Sequence, residues 1–284
     1  MKKDIGRKDI KEEIVRDKIK SFIEEEKKFK NNSFVGFDFR KKYFKDYSKK
    51  KLEGFNFNII NKFDFKKLKK KFVEHYYSVN PKSKKVFYNY SACIDDVCVN
   101  ITSVSGVFGK KLDKGTELLV KSGFFLVDDY SYKFNIPFSK VNILDLGCGT
   151  GVLGVFFKKK FDMNVFFSDV NFRAVEITKK NLKDNNFDGV VFQSDGFNNF
   201  FKNNISKDFF DFIFLNPPQS AGKKVVEKLI FNSKVFLKKK GFFVLVARHN
   251  KGGKSISSFM NEVFSNVSTF SKKSGFRVYF SIKE

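Results

Sequence analysis

Tryptophan, histidine, cysteine and proline are scarce in this sequence. Among its 284 residues there are no Trp, two His, three Cys and four Pro. Three cysteines, Cys93, Cys98 and Cys148, cannot form a disulfide framework, so we expect three reduced thiols. His75 and His249 cannot supply a histidine-rich metal site, and we expect no metal.

Long uncharged apolar runs are also missing. No segment of about 18 apolar residues is present. Charged residues are dispersed through positions 1–30, where a signal peptide would have an apolar stretch. We therefore expect a soluble protein of the cytoplasm without a membrane partner. Hydrophobic residues make up 42% of the chain, which is enough for a packed core and excludes wholesale disorder.

Positive charge is in large excess. The chain has 56 Lys and Arg against 31 Asp and Glu, which gives a formal net charge of +25. A/T-rich coding would by itself enrich Lys, Asn and Phe, so part of this charge has a mutational explanation. A surface this basic still attracts polyanions, with a strong dependence on salt.

Residues 1–72 differ from the rest of the chain in composition and in the pattern of their apolar residues. They carry a net charge of +12, and the remainder carries +13. Apolar positions at helical spacing predict an amphipathic helix over 8–29, and isolated aromatic residues among lysine clusters follow it. Aromatics between cations suit single-stranded RNA, and a small Phe-cored module with a solvated lysine face is the alternative. We predict a basic, RNA-binding extension over 1–72 and a second domain over 73–284.

From residue 73 onward, short apolar runs alternate with helical patterns. Two strands, 86–90 and 97–102, predict a hairpin. The other predicted strands are 141–146, 165–168, 190–193, 209–215, 242–247, 267–271 and 277–282, and the predicted helices are 152–161, 172–185, 223–237 and 255–264. This alternation predicts an α/β fold with a doubly wound, mostly parallel, seven-stranded sheet of Rossmann-like type and an antiparallel edge.

A glycine-rich turn follows the strand 141–146. Its glycines permit positive φ and allow a ligand to lie against the backbone; they are Gly147, Gly149, Gly151 and Gly154. Spacing of the last three satisfies the dinucleotide fingerprint, so an NAD(P) site is one interpretation. Asp145 favours the other, S-adenosylmethionine, because a carboxylate attracts a cationic amino acid moiety and repels a pyrophosphate.

Three acidic residues follow three successive predicted strands. Asp145 lies at the end of the first, and Asp169 and Asp195 follow the second and the third. We expect Asp169 to accept hydrogen bonds from ribose hydroxyls and Asp195 to accept one from an adenine amino group. Each alone is also a common turn former or helix cap. Because the carboxyl ends of such strands converge on one crevice, the three together favour a ligand site.

The strand 209–215 runs directly into Asn216, Pro217 and Pro218. Consecutive prolines fix this turn and leave two rigid acceptors, the Asn216 side-chain oxygen and the Pro217 carbonyl. Such a pair suits a planar NH2 group. Hydrogen bonds accepted from both N–H groups favour the transition state, in which the nitrogen becomes tetrahedral, over the ground state. A Pro-Pro turn that only closes a strand is the alternative.

Several separated motifs together resemble the methyltransferase small domain family of class I S-adenosylmethionine-dependent methyltransferases, whose best-known members are small-subunit rRNA guanine-N2 methyltransferases. The resemblance covers about residues 73–284. It is carried by residues 74–78, 105–116, 169–175, 194–197, 215–226 and 275–278.

This resemblance implies roles for further residues. Gly106, Val107 and Phe108 would line the cofactor pocket together with Val170 and Gly196. Asn216 would bind the target amine, with Pro217 and Pro218 as the other catalytic positions.

Two features depart from the family pattern. Many amine methyltransferases place an aromatic residue after Asn-Pro-Pro to stack on the target, whereas this chain has Gln219. The bacterial rRNA enzymes also carry a degenerate duplicate domain, and residues 1–72 are too short for it. The target nucleotide therefore does not carry over with the family.

The sequence predicts a methyltransferase acting on an RNA base amine, most simply guanine N2 of ribosomal RNA in the small subunit. Gln219, Lys223 and Lys224 are the candidate substrate-binding residues, and solvated helix positions are the alternative for the two lysines. Two other functions remain open: a protein glutamine methyltransferase acting on a ribosome-associated protein, and a non-catalytic RNA-binding protein. Nothing in the sequence fixes the oligomeric state.

Overall fold

The computed structural model describes residues 78–217 and 222–284. The predicted helix over 8–29 and the boundary between residues 72 and 73 lie outside the described residues and remain predictions.

A twisted seven-stranded sheet forms the centre of the described domain. Its strands are β3 (Asn142–Leu146), β4 (Asn164–Asp169), β5 (Val190–Gln193), β6 (Phe210–Leu215), β7 (Leu237–Arg248), β8 (Ser268–Lys273) and β9 (Phe276–Ile282). They lie in the order β5-β4-β3-β6-β7-β9-β8. The first five are parallel, and β9 and β8 pair antiparallel at the far edge. The predicted doubly wound fold is thereby confirmed.

Five helices accompany these strands. They are α1 (Lys114–Phe134), α2 (Val152–Phe161), α3 (Phe172–Asp184), α4 (Lys223–Phe236) and α5 (Lys254–Phe264). The sequence analysis did not predict α1, although it is the longest of the five. Its start has a clear chemical signal, because the Asp113 carboxylate accepts from the backbone N–H groups of Gly115 and Thr116.

Phenylalanine fills the space on both sides of the sheet. Strand β6 is buried along its whole length, so Phe212 and Phe214 pack into one core while Ile213 and Leu215 enter the other. No Cβ is tolerated at Gly154, where it would lie 2.2 Å from the Phe167 ring. Helix α2 therefore starts in close contact with β4, which places its first turn against the carboxyl ends of the strands.

A separate two-stranded hairpin precedes this sheet. Strands β1 (Phe87–Ile94) and β2 (Val97–Val104) pair antiparallel around the predicted turn. Cys93 and Cys98 lie directly opposite each other and form a disulfide, so the expectation of three reduced thiols was wrong for this pair. Cross-strand neighbours have Cβ atoms close enough for a bridge, a relation that cysteine counting does not reveal. Cys148 is free and buried.

Candidate active site

A cavity of about 470 Å³ opens at the carboxyl ends of β3, β4 and β6. It lies at the point where the strand order reverses, between β3 and β6, which is the usual ligand site of a doubly wound sheet. Among the residues predicted from the sequence, those that line it are Val107, Phe108, Asp145, Gly147, Gly149, Asp169, Val170, Gly196, Asn216 and Pro217.

The glycine-rich turn forms the floor of this cavity. Gly147, Gly149 and Gly151 all have positive φ, at 70°, 57° and 72°. A Cβ on Gly147 would meet nothing within 4 Å, so open space lies directly against the backbone there. A Cβ on Gly151 would lie 2.6 Å from the Thr178 side chain. The structure does not place Gly151 among the lining residues, and its smallness serves the packing of α3 against the turn.

Asp169 braces the same turn. Its Oδ2 accepts from the Gly149 N–H at 2.9 Å, and its Oδ1 accepts from the Asn171 N–H at 2.8 Å. Burial raises the pKa of this carboxyl group to about 6. Each carboxylate oxygen can accept more than one hydrogen bond, so these contacts leave capacity for a ribose hydroxyl.

Asp145 lies beneath the turn and is 5% exposed. Its Oδ2 accepts from the Gly154 N–H at 3.2 Å, in the first turn of α2. Burial, and to a lesser extent the charge of Asp169, raises the pKa of Asp145 to about 8. A cationic ligand group in the cavity would favour the ionised form, because it would offset that cost of burial. The carboxylates of this cavity therefore fit an amino acid moiety with a positive charge.

Asp195 is placed differently from the prediction. Its neighbours Ser194 and Gly196 line the cavity, whereas Asp195 itself is exposed and is not a lining residue. The backbone explains this difference, since the Ser194 N–H donates to the Asp169 carbonyl and Gly196 turns the chain with a φ of 57°. The side chain between them is directed to solvent. Its role in adenine recognition remains a prediction.

Gly106 also lies outside the lining. Its carbonyl accepts from the Asn171 side chain at 2.7 Å, which ties the segment after β2 to the start of α3. The next two residues do reach the cavity: Val107 is buried and Phe108 is 47% exposed. Phe108 thus places an aromatic ring at the edge of the cavity.

Asn216 and Pro217 lie at the end of β6, on the edge of the cavity. The Asn216 Nδ2 donates to Thr116 Oγ1 at 2.9 Å. The Thr116 hydroxyl in turn donates to Asp113 Oδ2. The amide nitrogen of Asn216 is thus engaged with the protein, whereas its oxygen, Oδ1, accepts no hydrogen bond from the residues that the structure describes.

The remaining predicted residues lie elsewhere. Pro218 and Gln219 are outside the described residues. Lys223 and Lys224 are exposed at the start of α4 and do not line the cavity, and Lys223 Nζ is 3.6 Å from Glu227. The described part of the chain contains no group of three or more His, Cys, Asp or Glu side chains able to hold a metal. Its helices include none that is long and apolar enough to cross a membrane.

Sequence reasoning gave no role to three residues that line the site or support it. Asp113, Thr116 and Phe276 all line the cavity. The N-cap pattern of Asp113 could have located the start of α1 beside the cavity. Phe276 carries no comparable signal, because its place depends on the antiparallel pairing of β9 with β7.

The methyltransferase small domain family matches residues 98–280 of this chain. The chain belongs to this family. That membership confirms the resemblance seen in the sequence motifs, and it agrees with a site built for S-adenosylmethionine.

Similar proteins differ in length. Uncharacterized protein YbxB of Bacillus subtilis is 36% identical over 208 residues, covering 72% of this chain and 96% of its own. Ribosomal RNA small subunit methyltransferase C of Buchnera aphidicola is 34% identical, covering 63% of this chain and 49% of its own. This small domain thus spans nearly all of the former and about half of the latter.

A solved structure shows the same fold. The 16S rRNA N2 G1207 methyltransferase RsmC of T. thermophilus, in complex with AdoMet and guanosine, superimposes with a TM-score of 0.56 at 21% identity. The superposition covers 72% of this chain and 52% of RsmC.

Asp145→Asn tests the raised pKa of the buried carboxyl group. Because the folded-state pKa of about 8 exceeds the ordinary value, the native protein keeps a proton that the unfolded chain has lost. The free energy of unfolding should therefore fall as pH rises from about 4 to about 8. Without ligand, Asp145→Asn should be more stable than the native protein at pH 8, by at least about 1 kcal/mol, and its Tm should vary less with pH.

The same variant should bind S-adenosylmethionine about tenfold more weakly or worse, since a charge-assisted contact is lost. Asp128→Asn, on the exposed face of α1, is the matched control. Thermal melts from pH 5 to pH 8 and calorimetric titration measure both effects. A variant less stable than the native chain at pH 8 would contradict the assignment.

Proposed function

We propose that this protein transfers a methyl group from S-adenosylmethionine to an exocyclic base amine of RNA, guanine N2 of small-subunit ribosomal RNA being the expected target. The observation that carries this proposal is the Asn216 side chain at the end of β6, which lines the cavity with Oδ1 left for a ligand. The names of the rRNA methyltransferase relatives support an rRNA substrate. A ribosomal substrate implies action in the cytoplasm.

The chemistry divides between the cofactor and the chain. When bound, S-adenosylmethionine supplies a methyl group activated by a sulfonium. Asn216 Oδ1 and the Pro217 carbonyl accept hydrogen bonds from the two N–H groups of the target amine and orient its nitrogen towards the cavity. These hydrogen bonds strengthen as the nitrogen loses its conjugation with the ring, so they favour the transition state. Asn216 is not a base at neutral pH, and the proton leaves to water after transfer.

Cofactor binding falls to the floor of the cavity. Gly147 offers open space against the backbone, and Asp145 offers a carboxylate for the cationic amino acid moiety. Asp169 holds the turn and can accept from the ribose. These residues bind and orient the methyl donor, S-adenosylmethionine.

A cluster of cations beside the cavity supports an RNA partner. Arg248 lies over the ring of Phe276, a lining residue, with its guanidinium carbon 4.7 Å from the ring centroid. Partial burial, and then the charges of Arg277, Lys254 and Lys272, lower the pKa of the neighbouring His249. These four cations, Arg248, Lys254, Lys272 and Arg277, we term the β7–β9 cation cluster.

None of the four forms an ion pair with a carboxylate of the described residues. By contrast, Lys273 on the same hairpin pairs with Glu117. Cations that form no ion pair with a described carboxylate, one of which lies over a cavity-lining ring, are suited to the phosphates of RNA. The basic extension, residues 1–72, would add to this attraction with its net charge of +12.

Incubation with labelled S-adenosylmethionine and small ribosomal subunits tests the function. Label should appear in RNA, and nucleoside mass spectrometry should identify N2-methylguanosine. Label found only in protein would replace the RNA assignment with the glutamine methyltransferase alternative. Cofactor binding without label in either fraction would leave the non-catalytic RNA-binding alternative.

Asn216→Ala should lower kcat by about 100- to 1,000-fold, because an acceptor specific to the transition state is removed. Cofactor affinity should change little, since Asp145 and Asp169 remain in place. Asn261→Ala, at an exposed position of α5, is the matched control. Single-turnover rates with ribosomal substrate and cofactor titrations give the two readouts, and an unaltered rate in Asn216→Ala would refute the mechanism.

The β7–β9 cation cluster should contribute to the salt dependence of RNA binding. Replacing Lys254 and Lys272 by Gln should reduce the slope of log K against log salt by about 1.5, since each phosphate contact contributes about 0.7 on a single strand and about 0.9 on a duplex. The control variant replaces Lys159 and Lys183 by Gln; both lysines are exposed in the last turns of α2 and α3. Equal slopes for both double variants in fluorescence titrations would exclude the cluster.

Deleting residues 1–72 should weaken RNA binding and flatten its salt dependence in the same titrations. The alternative, a small module that supports the fold, predicts a lower Tm with unchanged RNA affinity. Measuring both quantities on one preparation separates the two roles.

A further inference from the structure

Three side chains link the start of α1 to the end of β6. Asp113 caps α1, with its Oδ1 accepting from the Gly115 and Thr116 N–H groups at 2.9 and 3.2 Å. Its Oδ2 accepts from the Thr116 hydroxyl. Thr116 Oγ1 accepts from Asn216 Nδ2 at 2.9 Å. The two elements are 100 residues apart in sequence and meet at the edge of the cavity.

Hydrogen-bond polarity along this chain runs in one direction. A carboxylate can only accept, so Asp113 receives the single hydroxyl hydrogen of Thr116. With that hydrogen engaged, Thr116 Oγ1 can act towards Asn216 only as an acceptor. Asn216 must then present its NH2 group to Thr116. The opposite flip of the amide would set Oδ1 against Thr116 Oγ1 with no hydrogen between them.

We propose that Asp113 and Thr116 are positioning residues that keep Asn216 Oδ1, and not Nδ2, directed to the substrate amine. This rests on the proposed function, in which Oδ1 accepts from the target NH2. A flipped Asn216 would direct its own NH2 group at the NH2 group of the target, and both are hydrogen-bond donors. The flip would abolish the favourable contact and replace it with repulsion in the transition state.

The packing around these residues leaves little freedom for rearrangement. Thr116 is 6% exposed, and a Cβ on Gly115 would lie 3.0 Å from Phe276. Strand β6 is hydrogen-bonded to β3 on one side and β7 on the other, up to Leu215. The backbone that carries Asn216 is therefore fixed, and the main remaining freedom of this residue is the orientation of its side-chain amide. The hydrogen-bonded series Asp113–Thr116–Asn216, which we term the relay, must remove that freedom.

Thr116→Val removes the hydroxyl and keeps the shape of the side chain. We expect kcat to fall by about 10- to 100-fold, because the amide of Asn216 loses its preferred orientation. Affinity for S-adenosylmethionine should change less than kcat, since the binding carboxylates are untouched. Thr116→Ser, which restores the hydroxyl, should recover most of the rate.

Asp113→Asn reverses the polarity without removing the cap. Asn is as good an N-cap as Asp, and its oxygen can still accept from Gly115 and Thr116. Its NH2 group would now donate to Thr116 Oγ1 and free the hydroxyl hydrogen to point at Asn216. That arrangement favours the flipped amide, so kcat should fall by about 10-fold or more while Tm stays close to the native value. A cap with a purely structural role predicts an unchanged rate in this variant.

A double-mutant cycle separates this relay from the proposed function. In an Asn216→Ala background, Thr116→Val should cause no further loss of rate, because there is no amide left to orient. Additive losses would overturn the relay and indicate a structural effect of Thr116. A native rate in Asn216→Ala would instead refute the proposed mechanism, whereas a slow Asn216→Ala with a native rate in both Thr116→Val and Asp113→Asn would refute the relay alone.

Discussion

Backbone N–H groups of the glycine-rich turn are held by two carboxylates, one buried and one half-buried, and the rest of the site depends on that arrangement. Asp169 accepts from Gly149, and Asp145 accepts from Gly154 at the beginning of α2. The Gly151 N–H donates to the Cys148 carbonyl within the turn, and the Gly147 and Cys148 N–H groups donate to the Ser168 carbonyl of β4. The two side chains add the acceptors for Gly149 and Gly154 that these backbone contacts do not supply. The same carboxylates face the cavity. The groups that stabilise the turn are therefore the groups that a cationic, ribose-bearing ligand would contact.

Much of the fold could be predicted from the sequence because its strands are short, apolar and separated by helical patterns. The bounds of β5 and α2 agree with the prediction to the residue. Helix α1 was missed because the N-cap signal of Asp113 was not used. The antiparallel place of β9 between β7 and β8 follows from pairing across the sheet, although the terminal hairpin itself was predicted.

The candidate site was predictable where a residue's role follows from its position along the chain. Asp145, Gly147, Asp169 and Asn216 end or follow strands, and strand ends converge. Asp195 has the same position but is exposed, because orientation within a turn depends on φ at Gly196. Contacts between distant segments, such as Thr116 with Asn216, require the register of the folded chain. No local pattern contains that register.

Strand β6 contributes no polar group to its surroundings other than Asp211, which is buried at the opposite end of the sheet, until the chain reaches Asn216. In the proposed function, the acceptor pair at its tip, Asn216 Oδ1 and the Pro217 carbonyl, would recognise only the shape of a planar NH2 group. Nothing in that pair distinguishes one nucleobase from another. Selection of the target must then reside in the periphery, in surfaces that deliver the amine. Such a division would allow the periphery to change its target during evolution while the buried strand and its chemistry stay the same.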